Sequence, residues 1–178
     1  MELENVGERF RQEFKTTAGR KFLGAIFHPT VTNSQAEGFQ TPRRILRVSK
    51  ATDFLLNQVV TTKAGRKYLC AHNGEGELDG LIYRTYRLFE MDQSFSWERR
   101  TNTTDTVTGL PKTSSFTSQG TILCAIEPLG DIKDQLQVPD PQYRLITNSA
   151  IQDQDRIDGR LTVKHVERLL GVYVADVS

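Results

Sequence analysis

The sequence predicts an all-β protein: a barrel or sandwich of about nine short strands, with an N-terminal α-helix and a long polar arm. Three observations carry this. Short runs rich in Val, Ile, Leu, Phe and Tyr recur along the 178 residues, separated by clusters of Gly, Pro, Asn and Asp. Only residues 2–15 carry clear helical spacing. Between Glu98 and Gly120 the apolar pattern collapses, with ten Thr or Ser residues.

In residues 2–15, Leu3, Val6, Phe10 and Phe14 recur at spacings of three and four, while Glu4, Glu8, Arg11 and Lys15 lie off that stripe. Acidic residues at the start and Lys15 at the end suit a helix dipole. A turn at Thr16–Gly19 leads into a strand over Arg20–His28. The octet Thr16–Leu23 (TTAGRKFL) nearly recurs as TTKAGRKYL at 61–69, which reads as two tight turns solved alike, each using Gly for positive φ.

Pro29–Pro42 reads as loop, followed by strands at Arg43–Lys50, Phe54–Thr61 and Lys67–Ala71. The last two face each other across a hairpin at Thr62–Arg66. His72–Gly80, rich in Gly and acid, reads as a turn cluster. Leu81–Phe89 is apolar or aromatic on both faces, as a strand covered on both sides would be. In Gln93–Arg99, Phe95 and Trp97 face one way and Ser94, Ser96 and Glu98 the other.

The span 98–120 is too long for a structureless connection in a compact domain, so it reads as a functional loop or arm, its hairpin tip near Val107–Gly109. Gly120–Glu127 restarts as a buried strand. Gly130–Pro141 is loop, Tyr143–Thr147 a strand, and Ala150–Gly159 a set of turns around two apolar anchors. Residues 161–170 fit either a capped two-turn helix or a strand; the Asp158-Gly159 turn favours strand–turn–strand, ending in Val172–Val177. The chain length suits a single domain, 1–178. Its expected barrel core includes Phe89, Phe95, Trp97, Ile122, Cys124, Ile126, Val172 and Val174.

Hydrophobic content of 37% and a mean hydropathy of −0.46 imply either extensive polar loop or burial completed by neighbours. Lys and Arg (23) nearly cancel Asp and Glu (22), which disfavours a dedicated nucleic-acid binder. No apolar run reaches the roughly 18 residues that span a membrane, and the N-terminus lacks the basic and apolar regions of a signal peptide. A soluble protein made in a cytoplasm, with no membrane partner, is expected. Cys70 and Cys124 sit in apolar runs and read as buried thiols, a cross-strand disulfide being the alternative.

No motif points to catalysis. His28, His72 and His165 are scattered and there is no CxxC, against zinc. Asp153–Gly159 superficially resembles a calcium loop, but Ile157, Asp158 and Lys164 stand where that loop needs an acid or amide, Gly and Glu. Neither GxSxG nor a phosphate-binding glycine loop occurs. Cofactors, metals and catalytic residues are therefore expected to be none. Arg84 and Arg87 fall on opposite strand faces and form no common patch.

The stretches TYRLFEMDQSFSWERRTNTTDTVTGLPK and IQDQDRIDGRLTVKHVERLLGVYVADV resemble the neck proteins of tailed bacteriophages, specifically the small β-barrel head-closure or stopper type. The resemblance covers about the last hundred residues: a β-domain, a long polar insertion after an aromatic strand, and a final acidic turn–Gly–strand–Gly–strand. It implies a non-enzymatic virion protein, assembled in the host cytoplasm as a homo-oligomeric ring of about twelve or six copies. Such a ring lies between portal or adaptor and tail proteins, closes the DNA channel, and meets passing double-stranded DNA without sequence specificity. It further implies that neighbour or channel contacts fall on the arm, at Arg99, Arg100, Thr104, Asp105, Val107, Leu110, Lys112 and Phe116. A connector adaptor or tail-completion role in the same neck is an alternative. A β-barrel nucleic-acid-binding module, stacking bases on exposed aromatics, is an alternative of another class.

Overall fold

The computed structural model describes residues 11–28, 44–52, 54–78, 81–104, 106–109, 111–128 and 143–178. Among them are twelve strands: β1 Arg11–Thr16, β2 Lys21–Phe27, β3 Arg44–Ser49, β4 Val59–Thr62, β5 Lys67–Leu78, β6 Leu81–Glu90, β7 Gln93–Thr104, β8 Pro111–Pro128, β9 Tyr143–Thr147, β10 Arg156–Ile157, β11 Leu161–Leu169 and β12 Val172–Val177. They close into two barrels, in the orders β1-β2-β3-β6-β5-β4 and β10-β11-β12-β9-β8-β7. Both follow one path: a three-stranded meander against a second three-stranded meander, joined first strand to first and third to third. Closure leaves no strand edge open to pairing along those ladders.

The chain divides into two compact units, one running to Asp92 and including Leu169–Val172, the other Gln93–Arg168 with Tyr173–Ser178. The one barrel or sandwich of about nine strands expected from the sequence is thus corrected to two barrels of six. The boundary between the units falls between β6 and β7.

Inside the first barrel, inward residues alternate along each strand, as a filled barrel requires. Phe14, Leu46, Val48, Val60, Tyr68, Cys70, Tyr86 and Leu88 form its buried core with Leu55, and Phe22, Ile26 and Phe54 pack against it. The second barrel is filled by Ile122, Cys124, Leu145, Ile151, Ile157, Val163, Ala175 and Val177, with Phe95, Trp97, Ile126, Leu161 and Tyr173 among the half-buried residues against them. Each fully buried Leu, Ile or Phe contributes about 1.5–3 kcal/mol relative to exposure. Phe89, Val172 and Val174 are also buried, on strand faces outside these two clusters. Tyr86 to Phe89 are buried on both faces of β6.

Three local expectations need correction. Residues 11–15 belong to β1, not to a helix; Phe14 points inward because β1 is paired on both sides, with β2 and β4. The rest of the expected helix, 2–10, lies outside the described residues, as do the loops 29–43 and 129–142. The expected strand at Phe54–Thr61 begins only at Val59. Asn57, at φ 58°, turns the chain, its N–H donating to the Cys70 carbonyl over 2.8 Å. His72–Leu78 is strand rather than turn, with a bulge between His72 and Gly74. There Gly76 lies opposite Tyr83, and a Cβ on it would meet the Tyr83 hydroxyl at 2.5 Å. Residues 161–169 form a strand, and its hairpin with β12 turns through Leu170 and Gly171, at φ 51° and 84°.

Cys70 and Cys124 are buried thiols, not joined in a disulfide, and lie in different barrels. Burial raises the Cys70 thiol pKa by disfavouring the thiolate.

Candidate functional site

The Thr/Ser-rich span is a β-hairpin. β7 and β8 pair from Gln93↔Cys124 to Thr104↔Pro111, with register shifts after Trp97 and Thr103. β10 joins β7 at Trp97 and Glu98, and β9 joins β8 only from Ala125 to Pro128. Beyond Glu98 the described strands of the hairpin therefore pair only with each other. Thr101, Asn102, Ser114, Ser115, Thr117 and Ser118 are exposed, so both faces meet solvent. On one face the Thr101 hydroxyl lies 3.2 Å from that of Thr117 and 3.4 Å from that of Ser115.

The base of this ribbon is held by the segment between β9 and β11. Ile151 and Ile157 are buried and pin it to the barrel interior. Between them Asp155, 1% exposed, gathers donors on one oxygen. The Trp97 indole N–H donates to its Oδ2 over 2.8 Å, the Gln152 backbone N–H over 2.9 Å, and the Arg99 guanidinium over 3.4 Å. Arg99 also donates to the Ala150 carbonyl over 2.6 Å. The Asp155 backbone is fixed as well, its carbonyl accepting from Val163 N–H over 2.9 Å.

A second layer sits one residue outward. Arg100 donates to the Gln154 side-chain oxygen over 2.6 Å. Arg156 places its guanidinium 3.5 Å from the Phe116 ring centroid, a cation–π contact, and pairs with Glu98 at 3.7 Å. Backbone pairing sets Phe116 opposite Arg100, which brings the ring over the same loop.

The expected arm residues therefore separate. Arg99, Arg100 and Phe116 lie at the ribbon base, engaged with Ala150–Arg156. Val107 lies in the turn and is 91% exposed. Thr104 ends β7 and Lys112 falls within β8, while Asp105 and Leu110 lie outside the described residues. Of the expected core residues, Ile122 and Cys124 belong to the second barrel's buried core, with Phe95, Trp97 and Ile126 half-buried against it.

Asp155 carries the node and was missed by sequence reasoning. In the sequence it belongs to a stretch that fails as a calcium loop and reads only as an acidic turn. The one available signal is the tryptophan, whose N–H needs an acceptor when buried. Its partner is far away in the chain, so no local motif marks it.

Among the described residues, no group of three or more His, Cys, Asp and Glu could hold a metal ion, and no helix is long and apolar enough to cross a membrane. His28 and His165 are exposed, in separate units. The chemistry available at the ribbon base is positional: charged and aromatic contacts fix how the hairpin leaves the barrel. No protein-family model, no curated protein and no solved structure matches the chain.

Proposed function

We propose that the protein is a structural subunit of a tailed-bacteriophage neck, of the head-closure type. In this reading it forms a ring between portal or adaptor and tail, and the β7–β8 hairpin is the arm that reaches a neighbouring subunit or the DNA channel. One observation carries the proposal: the ribbon's polar faces are both exposed while its base is tightly held. A two-stranded ribbon is marginally stable alone in water, so a surface on a neighbouring molecule would complete it. The resemblance of TYRLFEMDQSFSWERRTNTTDTVTGLPK to stopper proteins supports the same reading.

The role of the base contacts is then aim rather than DNA binding, because Arg99 and Arg100 already hold the Ala150–Arg156 segment. The test replaces Thr101–Ser118 by a two-residue Asn-Gly turn and compares both proteins by mass photometry and negative-stain imaging, with and without a portal ring. The full chain is expected to form rings, or to join the portal ring, while the shortened chain folds and stays monomeric. A full chain that remains a stable monomer in every condition overturns the proposal. Steeply salt-sensitive DNA retention on filters would instead favour the nucleic-acid-binding alternative.

A further inference from the structure

A bulge divides β8 into a barrel part and an arm part. Trp97 pairs with Gly120 and Glu98 with Ser118, so Gln119 is the extra residue, and Gly120 turns at φ 96°. Side chains at the bulge cap its backbone. The Gly120 N–H donates to the Ser118 hydroxyl and the Gln119 side-chain amide to the Thr117 carbonyl, both over 3.3 Å. Outward of the bulge the ribbon is a two-stranded antiparallel ladder, Arg99–Thr104 against Pro111–Thr117. Each strand uses one side of its backbone on the other. Among the described residues no strand pairs with the remaining side of either. The ribbon thus carries two open edges over the same stretch, one on β7 and one on β8.

Proteins ordinarily guard an open edge with charge, because its row of unpaired N–H and C=O groups accepts another strand. The second barrel contains both cases. Beyond Val163, β11 has left its pairing with β10, and there Lys164, His165, Glu167 and Arg168 are all exposed. The β8 edge has no such guard. From Thr113 to Thr121 it reads Thr-Ser-Ser-Phe-Thr-Ser-Gln-Gly-Thr, without a charge or a proline, and Ser114, Ser115, Thr117 and Ser118 are exposed. Thr is a good strand former, and its hydroxyl pairs across a ladder, as Thr101 does with Ser115 and Thr117. On β7 the charges of Arg99 and Arg100 are tied to Ala150, Gln154 and Asp155, and Thr101–Thr104 is neutral.

Such edges fit an extended strand, and symmetry selects its source. Two copies joined β8 to β8 about a two-fold axis would leave both β7 edges open. Copies related by rotation about an axis along the ribbons set β8 of one beside β7 of the next. Because β7 and β8 run in opposite directions, the new ladder is antiparallel like the one within the ribbon. Closing the ring then leaves no edge unpaired.

We propose that the β8 edge of one copy, at Thr113–Ser118, pairs with the β7 edge of the next, at Arg99–Thr104, so that the ribbons of a ring form one continuous antiparallel sheet. This rests on the ring-forming reading above and names the arm's partner as a second copy of this chain.

The test compares the full chain with the double variant Ser115→Lys/Thr117→Lys, which gives β8 the kind of guard that β11 has. Both positions are exposed, and an equal urea midpoint by Trp97 fluorescence checks that the fold is intact. Sedimentation velocity and backbone amide hydrogen exchange are followed for the chain alone and on a portal ring. Slowed exchange over both Arg99–Thr104 and Thr113–Ser118 is expected on assembly of the parent chain. The double variant should assemble at least about tenfold more weakly. The exchange result comes from the parent alone, so it decides the matter even where the variant is destabilised. Assembly with neither edge slowed, or an intact variant that assembles equally well, overturns the pairing and leaves the ring reading standing. Slowing confined to β8 points to two-fold pairing or a foreign strand and also overturns it. A parent chain that stays monomeric throughout overturns both.

Discussion

Asp155→Ala offers the most direct test of the ribbon base. Asp155 is 1% exposed, and its Oδ2 accepts from Trp97, Gln152 and Arg99 at 2.8, 2.9 and 3.4 Å. Truncation orphans the first two donors in a half-buried setting, at a cost of about 1–3 kcal/mol each. The Arg99 side chain is 28% exposed and can rehydrate, so its share is closer to that of a surface ion pair, about 0–1 kcal/mol. Together the loss should be about 3 kcal/mol, a large part of the roughly 4–12 kcal/mol expected for a unit of this size. Trp97 is the chain's single tryptophan, so urea unfolding followed by its fluorescence reports on this unit. With a slope of about 1–2 kcal/mol/M the midpoint should fall by roughly 1.5–3 M. Asp155→Asn keeps the volume and one acceptor, and should lose about half as much. A midpoint for Asp155→Ala unchanged within about 0.3 M, at equal slope, would refute the idea that this carboxylate organises the ribbon base.

Two further outcomes concern the first barrel. Gly24→Ala places a Cβ 2.8 Å from Leu46 Cδ1 and 3.2 Å from the Arg47 carbonyl oxygen. Overpacking should cost about 1–3 kcal/mol and lower the melting temperature by about 10 °C; an unchanged melt would show that the interior has slack. Burial holds the Cys70 thiol above its ordinary pKa of 9.0, so the folded chain keeps a proton that the unfolded chain releases. Stability should therefore be unaffected by this group below pH 9 and fall by up to about 1.4 kcal/mol per pH unit as pH rises past it. Urea midpoints between pH 8 and 10.5 should show this slope in the parent and a shallower one in Cys70→Val; equal slopes would contradict it.

Where a strand is bounded by turn residues and alternates cleanly, local sequence was enough. Tyr143–Thr147, Val172–Val177, the Thr62–Arg66 hairpin and the inward facing of Phe95 and Trp97 are legible without any long-range information. The choice of strand for 161–169 follows from the Asp158-Gly159 turn, whose two residues sit at φ 53° and 66°. The recurrence of Ala-Gly-Arg-Lys is visible too, and its two copies are tight turns closed alike, each with its Gly at positive φ.

Tertiary pairing decided the rest. Phe10 and Phe14 satisfy a helical spacing, but β1 gains a partner on each side, and strand propensity answers to such neighbours more than to the chain itself. The glycines of His72–Leu78 read as a turn until Tyr83 lies across Gly76. Asp155 read only as part of an acidic turn, because Trp97 and Arg99 reach it only through the fold. The number of barrels depends on which distant strands close each sheet, β1 with β4 and β7 with β10. Alternation within a strand says which side chains turn inward; only pairing between strands says which interior they share.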